Sequence, residues 1–143
     1  MQFGGGKPPV GIIYDSDFGN RIDDALAMAL MYALDGKNEC RVVSVSLSKP
    51  SLKAAALSEV IGRFYSGAVS GNFGAVGRTL PVGMATESSV PAEDTPMITQ
   101  VLAAQTAEGK PKYMHGVNSL NDTADPRALI RNAFTSQHDQ NCM

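Results

Sequence analysis

Val10-Gly11-Ile12-Ile13-Tyr14-Asp15-Ser16-Asp17-Phe18-Gly19-Asn20-Arg21-Ile22-Asp23-Asp24-Ala25-Leu26 changes its hydrophobic period partway along, and that change decides the fold. Val10 to Tyr14 is a short apolar run after the Pro8-Pro9 break, which suits a buried parallel strand. From Ile22 onward Ile22, Leu26, Ala29, Leu30, Ala33 and Leu34 recur at helical spacing, and Asp35-Gly36-Lys37-Asn38 stops the helix. Arg41 to Leu47, rich in Val and Ser, reads as a second strand. Ser51 to Tyr65 reads as a second helix with Ser51 as its N-cap. Strand and helix in short alternation predict an α/β fold: an open, mainly parallel sheet with flanking helices and right-handed crossovers, Rossmann-like in organisation.

The pattern loosens further on. Ser66 to Gly77 is glycine-rich and reads as a loop, followed by a third strand at Thr79 to Met84. Ala85 to Thr95 is polar and punctuated by proline. Pro96 to Ala107 reads as a helix with proline in its first turn. Glu108 to Asn121 reads as a loop, and Pro126 to Gln137 as a last helix with Asp125 as its N-cap. Residues 1–9 read as a flexible lead-in, and 143 residues suffice for a single domain.

Composition narrows the function classes. An apolar fraction of 43% describes a globular chain, and a net charge of -2 gives no electrostatic reason to expect nucleic acid or an anionic membrane as partner. No run is long and apolar enough to span a bilayer. Cys40 and Cys142 lie far apart and form no metal-spaced or redox pair. The expected compartment is the cytoplasm, with a secretory leader lost from a longer precursor as the open alternative. Met28 and Met31 read as core or gap-filling residues, His115 as a surface residue, and His138 beside Asp139 as a partner for a helix C-terminus.

The chemistry concentrates where the first strand passes into the first helix. Four aspartates, Asp15, Asp17, Asp23 and Asp24, fall within ten residues. Either Asp23 or Asp24 alone reads as a helix cap, and Asp15 and Asp17 alone read as solvated loop acids. Together, beyond the carboxyl end of a strand in an open α/β sheet, they lie where such folds bind ligands. The positive end of a helix stabilises an acid by roughly 0.3–1 kcal/mol, too little to offset four crowded carboxylates. A hard divalent cation, Ca²⁺ or Mg²⁺, held by carboxylate oxygens would offset it.

The order Asp-x-Asp-x-Gly, then Asp-Asp-Ala-x-Ala, directly after an apolar strand resembles the N-terminal signature of the nucleoside hydrolases, the inosine-uridine-preferring nucleoside N-ribohydrolases. Three residues, Asn20-Arg21-Ile22, separate Gly19 from Asp23-Asp24, where the commoner family form has one. Arg41 to Ser48, Ser51 to Ser66 and Leu80-Pro81-Val82-Gly83 resemble the family's second strand, following helix and third strand. Ser119 to Pro126 and Leu129 to Ala133 resemble the segment before its central strand. The resemblance implies hydrolysis of a nucleoside's N-glycosidic bond with Ca²⁺ as cofactor and a small nucleoside as substrate. It makes Asp17 both Ca²⁺ ligand and the base that activates water, Asp24 a Ca²⁺ ligand, and Asp15 a supporting member of the metal site. Asp23 would hydrogen-bond the ribose hydroxyls, with Asn20 beside it as a further substrate contact.

Family members are considerably longer, so the resemblance covers an N-terminal portion and implies truncation at the C-terminus. Lys49 falls near the position of a substrate-contacting Asn in the family. A sheet without its later strands leaves an apolar edge, so either a homo-oligomer or poor solubility of the isolated chain is expected. Two other readings share the same residues. One is a catalytically incomplete, metal-binding α/β domain. The other is a phosphatase of the haloacid dehalogenase type, which shares the strand-then-Asp-x-Asp arrangement but leaves Asp23 and Asp24 unexplained.

Overall fold

A computed structural model describes residues 10–65, 80 and 82–136. The lead-in 1–9, the Ser66 to Gly77 loop, Thr79, Pro81, Gln137, His138, Asp139 and Cys142 lie outside the described residues. The element order is β1 (Val10–Ser16), α1 (Ile22–Gly36), β2 (Cys40–Leu47), α2 (Leu52–Tyr65), β3 (Val82–Met84), α3 (Pro96–Ala103), a 3₁₀ turn at Leu120–Asp122, and α4 (Pro126–Ser136).

The three strands form one parallel sheet in the order β1-β2-β3, as the alternation of periods predicts. The β1–β2 register pairs Ile12 with Val42 and Ile13 with Ser44, passing over Val43. That irregularity lets Val42 join Val45 and Leu47 in the same core although it sits three residues before Val45. Met28, Met31 and Tyr32 of α1 and Ala54 to Leu57 and Val60 of α2 complete this core with Val82 and Met84 of β3. α1 and α2 approach closely at Gly62, where an added Cβ would stand 2.9 Å from the Tyr32 ring. α4 packs against β2 and β3. Its Pro126 and Leu129 lie over Gly83 and Ser46, the face opposite Val45 and Leu47.

The ends of the elements follow local chemistry. The Ser51 hydroxyl accepts the Ala54 N–H at 3.1 Å, and the Asp125 carboxylate accepts the Arg127 N–H at 3.0 Å, so both expected N-caps are present. α1 runs through Gly36, and Asn38 then takes a positive φ of 61°. The Asp35 carboxylate accepts the Val42 N–H at 3.1 Å, tying the helix end to β2.

Three expectations are corrected. β1 continues two residues past Tyr14, because Asp15 and Ser16 pair with Ser46 and Leu47. β3 begins only at Val82, and Leu80 lies outside it. α3 ends at Ala103 rather than Ala107: Ala104 turns to ψ 135°, and the chain folds back so that Lys112 donates to the Ala104 carbonyl and Thr106 to that of Lys110. Gly109, at φ 81°, makes that reversal.

On α1 the spacing locates the helix but not its buried side. Ile22, Leu26 and Leu30 are 61%, 62% and 62% exposed, whereas Ala25, Met28, Met31 and Tyr32 are buried. Ten consecutive uncharged residues, Ala25 to Leu34, leave the helix apolar on every side, and the Tyr32 contact at Gly62 selects which side turns inward. Among the described residues no helix is long and apolar enough to cross a membrane.

Candidate functional site

The acidic run occupies the carboxyl end of β1 and the start of α1. Phe18, fully buried, anchors the turn between them. Gly19 makes the turn at φ 111°, a backbone conformation that side chains rarely adopt, and a Cβ there would lie 2.6 Å from Ile98 Cδ1. The Thr95 hydroxyl donates to the Gly19 carbonyl. Helix α1 then begins behind Arg21, which supplies no side-chain cap. Neither Asp23 nor Asp24 is the cap that each alone suggested. Both lie in the first turn, where the helix dipole favours negative charge.

Asp17 and Asp24 are brought together. Burial first, then the charges of Asp17 and Asp23, raise the Asp24 carboxyl above the ordinary aspartate range. A hydrogen bond to Asp17, available when Asp24 is protonated, pushes the same way; the neighbouring Ser16 hydroxyl opposes it. Asp23 is exposed, and its Oδ1 accepts the Asp24 N–H at 3.0 Å. Tyr14 closes the inner side of the cluster by donating its hydroxyl to the Asp24 carbonyl at 2.9 Å. Its phenol is raised by burial first, lowered by Ser16, and raised again by Asp24, Asp17 and Asp23. Asp15 is exposed and, by strand alternation, lies on the other side of β1 from Tyr14 and Ser16.

Asn20 is half-buried, and its Oδ1 accepts a hydrogen bond from Lys49 Nζ at 2.8 Å. Lys49 also donates to the carbonyls of Pro91 (2.9 Å) and Glu93 (2.6 Å), and it is 0% exposed. Sequence reasoning noted Lys49 only as a replacement for a substrate-contacting Asn. Its place two residues after the end of β2 and directly before Pro50 was the available signal that it could turn inward. Tyr14 and Thr95 were missed altogether, since neither belongs to the acidic motif. His115 is half-buried rather than a plain surface residue, and its Nδ1 is shielded with no hydrogen-bond partner among the described residues.

Chemically, the Asp17–Asp24 pair is a set of hard oxygen donors carrying uncompensated negative charge, which fits Ca²⁺ or Mg²⁺. Among the described residues no three His, Cys, Asp or Glu side chains are gathered into a metal-holding group. The pair therefore suits a cation that completes its shell with water, backbone oxygen or substrate. A polar hollow opens at the end of β3, lined by Thr86, Glu87, Thr123, Asp125 and Arg127. No protein-family model, no curated protein and no solved structure matches this chain.

Proposed function

We propose that this chain carries the metal-binding and water-activating half of a Ca²⁺-dependent N-glycoside hydrolase, converting a ribonucleoside and water to ribose and free base, whether alone or as part of a longer enzyme. The observation that supports this most is the carboxylate pair Asp17–Asp24 beyond the end of a parallel strand, with the Asp24 carboxyl raised by burial first and then by the charge of Asp17. When bound, Ca²⁺ would lower the pKa of a water and grip the sugar diol. Asp17 and Asp24 would hold the cation, whereas Asp15 lies on the other side of β1 and is no part of this pair.

The remaining roles belong to the chain's own groups. Asp17 takes the proton from the attacking water, which leaves hydroxide facing the anomeric carbon. Asp23 accepts hydrogen bonds from ribose hydroxyls, with Oδ2 free of the Asp24 N–H that Oδ1 holds. Asn20 offers its amide nitrogen to the substrate, since Lys49 turns Oδ1 toward itself. Carboxylates close to the sugar also stabilise the positive charge that develops on its ring carbon. The phosphatase reading gains nothing from Lys49, whose donors all point to protein acceptors.

Calorimetry with Ca²⁺ and Mg²⁺, paired with a reducing-sugar assay on inosine and uridine, tests the proposal. Ribose release that Asp17→Asn lowers by about 10³-fold or more is the expected result, because that change removes both a ligand and the base. Metal binding without ribose release would instead mark a catalytically incomplete domain, and neither binding nor turnover would end the reading.

A further inference from the structure

Among the described residues Lys49 is the one buried side chain that carries a formal charge. Lysine is almost never fully buried without partners. Here the partners match the donors in number: an ammonium has three N–H groups, and Asn20 Oδ1, the Pro91 carbonyl and the Glu93 carbonyl accept them at 2.8, 2.9 and 2.6 Å. None of the three acceptors is a carboxylate, so the group is not half of an ion pair whose other half lies in the acidic cluster.

The acceptors belong to two segments remote in sequence. Asn20 lies in the turn between the acidic strand end and α1, while Pro91 and Glu93 belong to the stretch leading into α3. One further bond repeats the connection, and another ties the same segment to the start of α2. The Thr95 hydroxyl donates to the Gly19 carbonyl, and the Ser51 hydroxyl donates to the Asp94 carboxylate. The Lys49 stem also runs along the turn, with its Cδ 3.5 Å from where a Gly19 Cβ would be.

We infer that Lys49 is a positioning residue that locks the 91–95 segment to the acidic turn and fixes the direction of the Asn20 amide. An ammonium can only donate, so it selects the oxygen of Asn20 and leaves the NH₂ facing away. Asn20 then turns its two N–H donors toward a ligand, its oxygen being directed at the ammonium. For the substrate, a consequence that rests on the N-glycoside hydrolase reading, Asn20 addresses an acceptor atom such as a ribose hydroxyl oxygen or a base carbonyl.

The test places its substitutions on the partners, because Lys49 variants can fail to fold. Backbone NMR order parameters are measured on the full chain and on Asn20→Ala, Asn20→Leu and Asn20→Asp. The parent should show 91–95 at the rigid value of about 0.85. Asn20→Ala and Asn20→Leu should lower it toward about 0.6, and Asn20→Asp should restore it, because a carboxylate oxygen still accepts from the ammonium. Rescue by Asp but not by Leu is a result that simple space-filling would not produce. Rigid 91–95 residues in the Ala variant, or equal loosening in all three variants, overturns the assignment whatever the activity.

On the nucleoside assay, Asn20→Asp should keep the tie but raise KM by about tenfold through loss of both donors. An unchanged KM would remove Asn20 as a substrate donor. Absence of turnover in the parent would defeat the hydrolase reading and leave the tie to stand or fall on the order parameters.

Discussion

Replacing Lys49 by methionine keeps most of the buried stem and removes only the ammonium. Three bonds are lost, and a hydrogen bond to a charged group contributes about 1.5–3 kcal/mol. Their sum overstates the effect, because methionine also escapes the desolvation penalty of a buried cation, which is several kcal/mol. Two features decide which side wins. Pro91 and Glu93 are exposed residues, so their carbonyls can regain water if the segment lifts; Asn20 is half-buried and regains less. Lifting the segment in turn breaks the ties from Thr95 to Gly19 and from Ser51 to Asp94.

The net expectation for Lys49→Met is a loss of about 2–4 kcal/mol, in line with breaking a buried polar arrangement from one side. At roughly 3 °C per kcal/mol for a chain of this size, Tm should fall by about 6–12 °C. Thermal melts and urea unfolding followed by circular dichroism measure it, with the urea slope checked for constancy. A Tm within about 2 °C of the parent, or above it, would mean that relief of charge burial outweighs the three bonds. The reasoning would then be wrong in sign.

Two further outcomes follow from buried polar groups. Ser46 is 0% exposed and its hydroxyl has no hydrogen-bond partner among the described residues, so Ser46→Ala should be neutral or should stabilise by up to about 1 kcal/mol in urea unfolding; a loss larger than that would show the hydroxyl to be paired. Asp24 holds its proton more tightly folded than unfolded, so folding takes up a proton between the ordinary aspartate range and the raised value, and stability falls as pH rises through that window. In chelating buffer Asp24→Asn should therefore be more stable than the parent at pH 7, and the two should converge below about pH 3, where both states of the parent are protonated. Unfolding free energies that differ by the same amount at every pH would refute the assignment.

What could be read from the sequence follows from how local each cause is. The change from a strand period to a helical one at Gly19 is local, so β1, α1 and the parallel order were legible, as were the caps Ser51 and Asp125. The buried side of α1 was not. Ile22, Leu26 and Leu30 are as apolar as the residues that turn inward, and the choice depends on Gly62 of another helix.

The candidate site divides in the same way. Asp17, Asp23 and Asp24 were legible because their charges crowd along the chain itself. Lys49 was not, because its acceptors lie 29, 42 and 44 residues away and two of them are backbone carbonyls, whose sequence identity is irrelevant to the bond. A motif search finds side chains that do chemistry. It passes over a cation whose partners are main-chain oxygens, although that cation determines which atom of Asn20 faces a ligand. The acidic turn is accordingly fixed from behind by a residue that no acidic motif contains. Variants at Lys49 and Thr95 should alter the site's geometry even though neither side chain belongs to the Asp17–Asp24 pair.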